Sequence, residues 1–169
     1  MKKNLILLGM MGAGKSTLGK IAAKRLSLNF IDTDTNIEKK LSMKISDIFK
    51  KKGEKFFRAE EEKEVLKSLE VQNSVIALGG GAFVNKAVRS FILKNAISIW
   101  LDVDLKTLNK RVFWNKKRPL LKKKNNKDII SKLYSSRKDI YKLANYKIKC
   151  NDINKDDIVK KIINFYEKQ

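Results

Sequence analysis

The sequence predicts an α/β fold, a three-layer α/β/α sandwich built on a parallel sheet. Three observations predict it. Short apolar runs alternate with stretches of helical periodicity along the whole chain. The strand-like runs (NLILL, SVIAL, ISIWL) are continuously apolar rather than alternating, as strands covered on both faces must be. A glycine-rich G-x-x-x-x-G-K-[ST] pattern lies between the first such run and the first helix.

Taken in order, residues 4–8 (NLILL) read as a buried strand, and Lys15–Leu26 as a helix with Leu18, Ile21, Ala22 and Leu26 on one face. Residues 29–31 form a short second strand ending at Asp32. Ile37, Leu41, Ile45, Ile48 and Phe49 indicate one or two short helices, with Ser46 as an N-cap and Asp47 behind it. Gly53 interrupts the pattern, and Glu54–Leu69 follows as a charged helix carrying Phe56, Phe57, Val65, Leu66 and Leu69. Residues 74–78 (SVIAL) are the third strand and run directly into Gly79-Gly80-Gly81. A helix over 85–94 leads to the fourth strand, 97–101, and a helix over Leu105–Val112 follows. The segment 114–127, rich in lysine and asparagine and holding the single proline, Pro119, reads as a loop. Asp128–Asn145 is a long helix, Lys147–Lys149 a short strand and Asp156–Tyr166 the final helix.

Composition limits the chemistry. A chain of 169 residues, 43% hydrophobic and without a linker-like stretch, suits one domain over 1–169. It has one cysteine, Cys150, and no histidine. That excludes zinc sites built from Cys and His, a Ser-His-Asp triad and a Cys-His dyad. Any metal must be a hard cation on oxygen ligands, which points to Mg2+. The chemistry must then run on Asp, Glu, Lys, Arg, hydroxyls and backbone amides.

The net charge is +21, and 33 of the 39 cations are lysines. Such a balance can mark a nucleic-acid or anionic-membrane surface. Here the lysines are spread along the chain and accompany abundant Ile and Asn, as a compositional bias produces. The expectation is therefore no nucleic-acid and no membrane partner, with a general field that attracts small anions. The start MKKNLILLGMMGAG loosely imitates a signal peptide, but a buried strand and the glycine loop explain it better. A cytoplasmic monomer is expected.

In Gly9–Ser16 (GMMGAGKS) the glycines allow successive N–H groups to point at phosphate oxygens, and the helix N-terminus adds its positive end. Gly12, Ala13, Gly14, Lys15, Ser16 and Thr17 are thus candidate residues for binding a nucleoside triphosphate, ATP if the chain is a kinase. Lys15 would bridge the β- and γ-phosphates, and Ser16 would ligate magnesium. The motif leaves kinases, GTPases and motors open; GTPases usually carry an N/T-K-x-D guanine signature, which is not expected here, and motors a longer chain, so a small monomeric phosphotransferase is the simplest choice. P-loop proteins usually carry an acid at the end of a later buried strand to help hold the metal. SVIAL ends in Gly79 instead, which leaves Asp32 as the nearest candidate. Asp32 and Asp34 in FIDTDT lie two apart; in an extended segment they would share a face and point into one crevice.

The ordered set GMMGAGKSTLGKIAAKRL, FIDTDTNIEKK, ISDIFKKKGEKFFRAEE, IALGGGAFV, RPLL and RKDIYKLANYKI resembles shikimate kinase over nearly the whole chain. Gluconate kinases and nucleoside monophosphate kinases share the P-loop and a lid but not this combination. The resemblance implies a five-stranded parallel sheet with a mobile lid at 112–125 and a substrate-binding region at 33–61. It implies transfer of the ATP γ-phosphate to the 3-hydroxyl of shikimate, with ATP and shikimate as the small-molecule partners; with no histidine or spare nucleophile, the transfer would be direct and in line. Asp34 then binds the substrate hydroxyls and is the candidate base. Asp32 reaches magnesium through water, and Arg58 and Arg137 hold the substrate carboxylate, as planar guanidiniums can. Gly80 would donate its N–H to the substrate. Arg118 would swing from the lid onto the transferring phosphate. Arg111 and the loop 151–155, with Asn154, would flank adenine. Phe49 and Phe57 either wall the substrate ring or belong to the core. Glu61 either orients Arg58 or is a solvated helix charge. Arg25 and Arg89 match no family position and read as surface residues. The chain departs from the family at Ser42 (a common glycine), Asp139 (a frequent proline) and Asn145 (a frequent aspartate), and in its basic lid stretch KKKNNK. Two rival readings are another small-molecule kinase, for which gluconate also offers a carboxylate and neighbouring hydroxyls, and a non-catalytic nucleic-acid binder resting on charge alone.

Overall fold

Five strands form a single sheet in the order β2-β3-β1-β4-β5, and every neighbouring pair is parallel. The structure is a computed structural model that describes residues 3–114 and 126–169, with side chains described for 3–111 and 127–169. The strands are β1 (Asn4–Leu8), β2 (Asn29–Asp32), β3 (Ser74–Ala77), β4 (Ala96–Asp102) and β5 (Tyr146–Lys149). The helices are α1 (Lys15–Leu26), α2 (Thr33–Leu41), α3 (Ile45–Glu70), α4 (Lys86–Asn95), α5 (Leu105–Trp114), α6 (Asn126–Tyr141) and α7 (Lys155–Glu167). A 3₁₀ turn covers Ala82–Val84.

The central strand β1 explains its own continuous apolar run. It pairs with β3 on one side and β4 on the other, in register Leu7↔Ala77 and Leu7↔Ile99, and all five of its residues are buried. Both faces are covered by helices, so no polar face is needed. α1 and α7 pack together against the sheet, and α4 packs on β4. Gly19 permits the close seat of α1: a methyl there would lie 2.7 Å from the Phe30 ring of β2.

Some boundaries differ from the sequence expectation. Ser46 is not an N-cap: α3 already begins at Ile45, and the Glu38 carboxylate of α2 accepts from the Ile45 N–H at 3.1 Å. A cap supplied from another helix leaves no local signature. Helicity resumes directly after Gly53, which alone breaks α3 with φ 82° and ψ 168°. α6 stops at Tyr141 rather than Asn145. Asn145 instead spans to β4, where its Oδ1 accepts from Ser98 N and Oγ. Ser42 holds the left-handed conformation (φ 50°) at the end of α2, the backbone that glycine adopts without strain.

Besides the main core, a second cluster of Ile37, Ile48 and Phe57 gathers Leu41, Met43, Ile45, Phe49 and Phe56. α2 and α3 thus carry a small core of their own beside the sheet. The carboxyl ends of β1, β2 and β3 lead into the glycine loop, Asp32 and Gly79 respectively, where ligands gather in open parallel sheets. The expected lid, 112–125, lies outside the residues whose side chains are described. Among the described residues no helix is long and apolar enough to cross a membrane.

Candidate active site

The glycine loop turns on Gly12 (φ 80°) and Gly14 (φ 92°), left-handed positions where a side chain would be strained. Gly14 is the N-cap residue of α1, so the first amides of that helix open toward the loop. Lys15 is buried, and its Nζ donates to Gly9 O at 2.9 Å and Met10 O at 3.0 Å. The ammonium is thereby stationed within the loop. Ser16 and Thr17 follow on the exposed first turn.

Ser16 Oγ donates to Asp32 Oδ2 at 2.5 Å, which joins the loop to the end of β2. Among the described residues no group of three or more acidic, Cys or His side chains could hold a metal. This donor set, one hydroxyl beside one carboxylate, suits a cation that keeps most of its ligands as water or phosphate, which is the habit of Mg2+.

The two aspartates of FIDTDT are placed differently from expectation. The segment is not extended through Asp34: α2 starts at Thr33. Asp32 is the N-cap of α2, its Oδ1 accepting from Thr35 N at 3.0 Å, while Asp34, which could also be read from the sequence as a helix cap, sits in the first helical turn. Thr33 between them is fully buried; its hydroxyl donates to Ala77 O at 3.3 Å and accepts from Gly79 N at 3.0 Å. That bond fixes the start of the triple-glycine loop against α2.

Asp34 and Glu61 converge on Gly79. A methyl at Gly79 would lie 2.5 Å from Asp34 Oδ1 and 2.6 Å from Glu61 Oε1. This packing is the reason the strand cannot end in a metal-holding acid. Gly81 is equally crowded, since a methyl there would meet Arg58 Nη1 at 2.3 Å. Arg58 donates to Glu61 Oε2 at 2.7 Å, and the Glu61 side chain is 4% exposed. Glu61 is therefore a buried partner that orients Arg58, not a solvated charge. Burial pushes its carboxyl above the usual range, the Arg58 guanidinium pulls it back, and Asp34 pushes it up again; the outcome is raised.

Arg137, on α6, donates to Gly80 O at 3.2 Å. The hydroxyl of Tyr141, one turn further along, donates to the same carbonyl. Tyr141 was not singled out by the sequence: it is a buried aromatic packed on Trp100, and nothing local marks its hydroxyl as a tie to residue 80. Burial, offset by Arg137, keeps that phenol protonated. Arg58, Arg137, Glu54, Glu61 and Gly81 line a cavity of 390 Å³. Phe57 is core at 3% exposure, while Phe49 is half-buried against it at 4.7 Å, with the Arg58 guanidinium over both rings.

On the other side of the loop, Arg111 donates to Gly12 O at 3.2 Å. Asn154 caps α7, accepting from Asp157 N at 2.9 Å, so its side chain is committed to the helix. Against the expectation of no guanine-reading signature, the tetrapeptide Asn154-Lys155-Asp156-Asp157 does have the N-K-x-D form, but its carboxylates are likewise engaged. Asp157 accepts from Asn154 Nδ2, and Asp156 pairs with Arg25 and Lys160. Arg25 and Arg89 stand apart from the site, Arg89 donating to the Phe83 and Val84 carbonyls. Arg118 lies outside the described residues. Burial raises the Cys150 thiol to about 11, so it offers no nucleophile.

The arrangement pairs a phosphate-binding loop with a neighbouring pocket holding two guanidiniums and an aspartate. It can seat a triphosphate beside a small hydroxylated anion. A family model described as shikimate kinase matches residues 11–167. Curated shikimate kinases of Bartonella henselae and Sulfurihydrogenibium sp. are 43% and 41% identical to this chain. The matches cover 94% and 95% of the chain, and 76% and 96% of those proteins. Among solved structures, a shikimate kinase from Acinetobacter baumannii in complex with shikimate superposes with a TM-score of 0.94 at 32% identity. It covers 99% of this chain and 94% of that one. A gluconokinase from Sinorhizobium meliloti, at 13% identity and TM-score 0.61 over 98% of this chain and 92% of that one, shares the fold alone.

Proposed function

The chain belongs to the shikimate kinase family, and we propose that it transfers the ATP γ-phosphate to the 3-hydroxyl of shikimate, giving shikimate 3-phosphate and ADP. The observation that carries this reading is the convergence of Asp34, Arg58 and Arg137 on Gly79–Gly81, next to the P-loop. A methyl on Gly80 would stand 3.5 Å from Arg137 Nη1 and 3.6 Å from both Gly9 O and Met11 N. One loop therefore touches both the arginine pocket and the nucleotide loop.

In the mechanism we infer, Arg58 and Arg137 grip the substrate carboxylate and turn the ring so that its hydroxyls face Asp34. Asp34 accepts hydrogen bonds from them and takes the proton of the attacking hydroxyl. Gly80 contributes its N–H to the substrate. Lys15 and the amides of residues 12–17 hold the phosphates, and Lys15 offsets charge spreading over the γ-phosphoryl oxygens. Arg111 and the loop 151–155 flank the adenine. Ser16, with Asp32 through water, would hold Mg2+, which when bound neutralises phosphate charge. Arg118 is assigned to the transferring phosphate by its motif alone.

The test is a coupled assay over a panel of hydroxy acids and nucleotides. ADP should appear only when shikimate is supplied; turnover with gluconate or a nucleoside monophosphate in its place would overturn the reading. Asp34→Asn should lower kcat by roughly 10²–10⁴ while nucleotide binding persists, and full activity would remove Asp34 from its role.

A further inference from the structure

The Arg58 guanidinium is held by two carboxylates of different character. Glu61 takes Nη1 at 2.7 Å and is buried. Glu54 takes the opposite side, with a single oxygen, Oε1, lying 3.3 Å from Nε and 3.2 Å from Nη2. Both bonds to Glu54 are long for charged partners, and the Glu54 side chain is 67% exposed. The Nε–Nη2 edge is one of those by which a guanidinium grips a carboxylate with two parallel bonds. Glu54 also lines the same cavity as Arg58, Arg137 and Gly81.

Resting on the proposed function, we propose that Glu54 is a displaceable stand-in for the substrate carboxylate. It occupies the Nε–Nη2 edge of Arg58 until a ligand carboxylate replaces it. Glu61 fixes the guanidinium; Glu54 only fills it. The two roles have opposite signs for binding. A fixed partner preorganises Arg58 and strengthens substrate binding. A filled edge must be vacated, so Glu54 weakens substrate binding by the strength of its own pair. An exposed pair on one helix face is weak, so exchange is easy, and only a ligand that brings its own carboxylate recovers the lost contact. Glu54 thus selects for anionic substrates over neutral polyols, without touching the reacting atoms.

The experiment compares wild type with Glu54→Gln and Glu54→Ala. It measures the Kd for shikimate by calorimetry without nucleotide, together with KM, kcat and the thermal midpoint. Kd and KM should fall about two- to fivefold in both variants, the span set by an exposed ion pair, with kcat unchanged and the midpoint lowered by about 1–4 °C, because the same pair is lost from the unliganded fold. Unchanged or raised Kd and KM would overturn the proposal and make Glu54 a mere buttress of Arg58. A wild-type protein that neither binds nor phosphorylates shikimate would instead overturn the functional reading, and this inference with it.

Discussion

At the residue scale, Glu61 concentrates the physics of the site. It is a carboxylate under the fold surface, bonded to Arg58 and facing Asp34, and burial raises its pKa from the ordinary value of 4.5. A raised carboxyl pKa means that the fold favours the protonated form. That contribution to stability is complete below the unfolded value and is lost as pH climbs through the raised folded one. Glu61→Gln keeps the shape and removes the titration. Its thermal midpoint should therefore fall less than that of wild type as pH rises from about 4.5 toward neutrality. Its KM for shikimate should rise, because a neutral amide holds a guanidinium less firmly than a carboxylate does. Parallel melting profiles for the two proteins would refute the burial account. Arg58 and Arg137 entered as candidates through the resemblance, with the fork geometry of a guanidinium as the chemical reason. The burial of Glu61, which decides between its two readings, and the Tyr141 bond to Gly80 O were not legible, since each depends on a contact that no spacing rule encodes.

At the element scale, the turn after β3 is where three helices meet one loop. Thr33 of α2 accepts from Gly79 N, Glu61 and Arg58 of α3 crowd Gly79 and Gly81, and Arg137 and Tyr141 of α6 bond Gly80 O. Substitution here should act on catalysis more than on folding. Gly79→Ala places a methyl 2.5 Å from Asp34 Oδ1, so that carboxylate must move. Displacement of a catalytic group by about 1 Å costs on the order of 100-fold in rate. A loss of that size in kcat, with ATP affinity retained, is expected by steady-state kinetics and nucleotide titration. Wild-type kcat in this variant would show that Asp34 is not held where the structure puts it. Helix identities were legible from apolar periodicity, whereas their ends were not. The Glu38 cap on Ile45 and the Asn145 bridge to Ser98 are made by side chains from other elements.

At the scale of the whole molecule, the net charge of +21 makes association with anions dependent on ionic strength. ATP carries several charges and shikimate one. Raising salt from about 0.05 to 0.5 M shortens the screening length several-fold, and it should raise the KM for ATP more than that for shikimate. Equal responses would show that the lysine coat exerts no net steering. The sheet order β2-β3-β1-β4-β5 sets the geometry against which that field acts, since it brings the carboxyl ends of β1, β2 and β3 to one crevice. Buried parallel strands, the strand–loop–helix P-loop and the absence of histidine are local or compositional facts, and a linear reading is sufficient for them. They carried the fold class and the class of chemistry. The different placements of Asp32 and Asp34, the burial of Glu61 and the double hold on Arg58 depend on packing between segments that lie far apart in the chain or on opposite sides of a helix turn. Charge and hydrogen bonding at those positions take their sign from burial and from partners, and both exist only once the chain has folded.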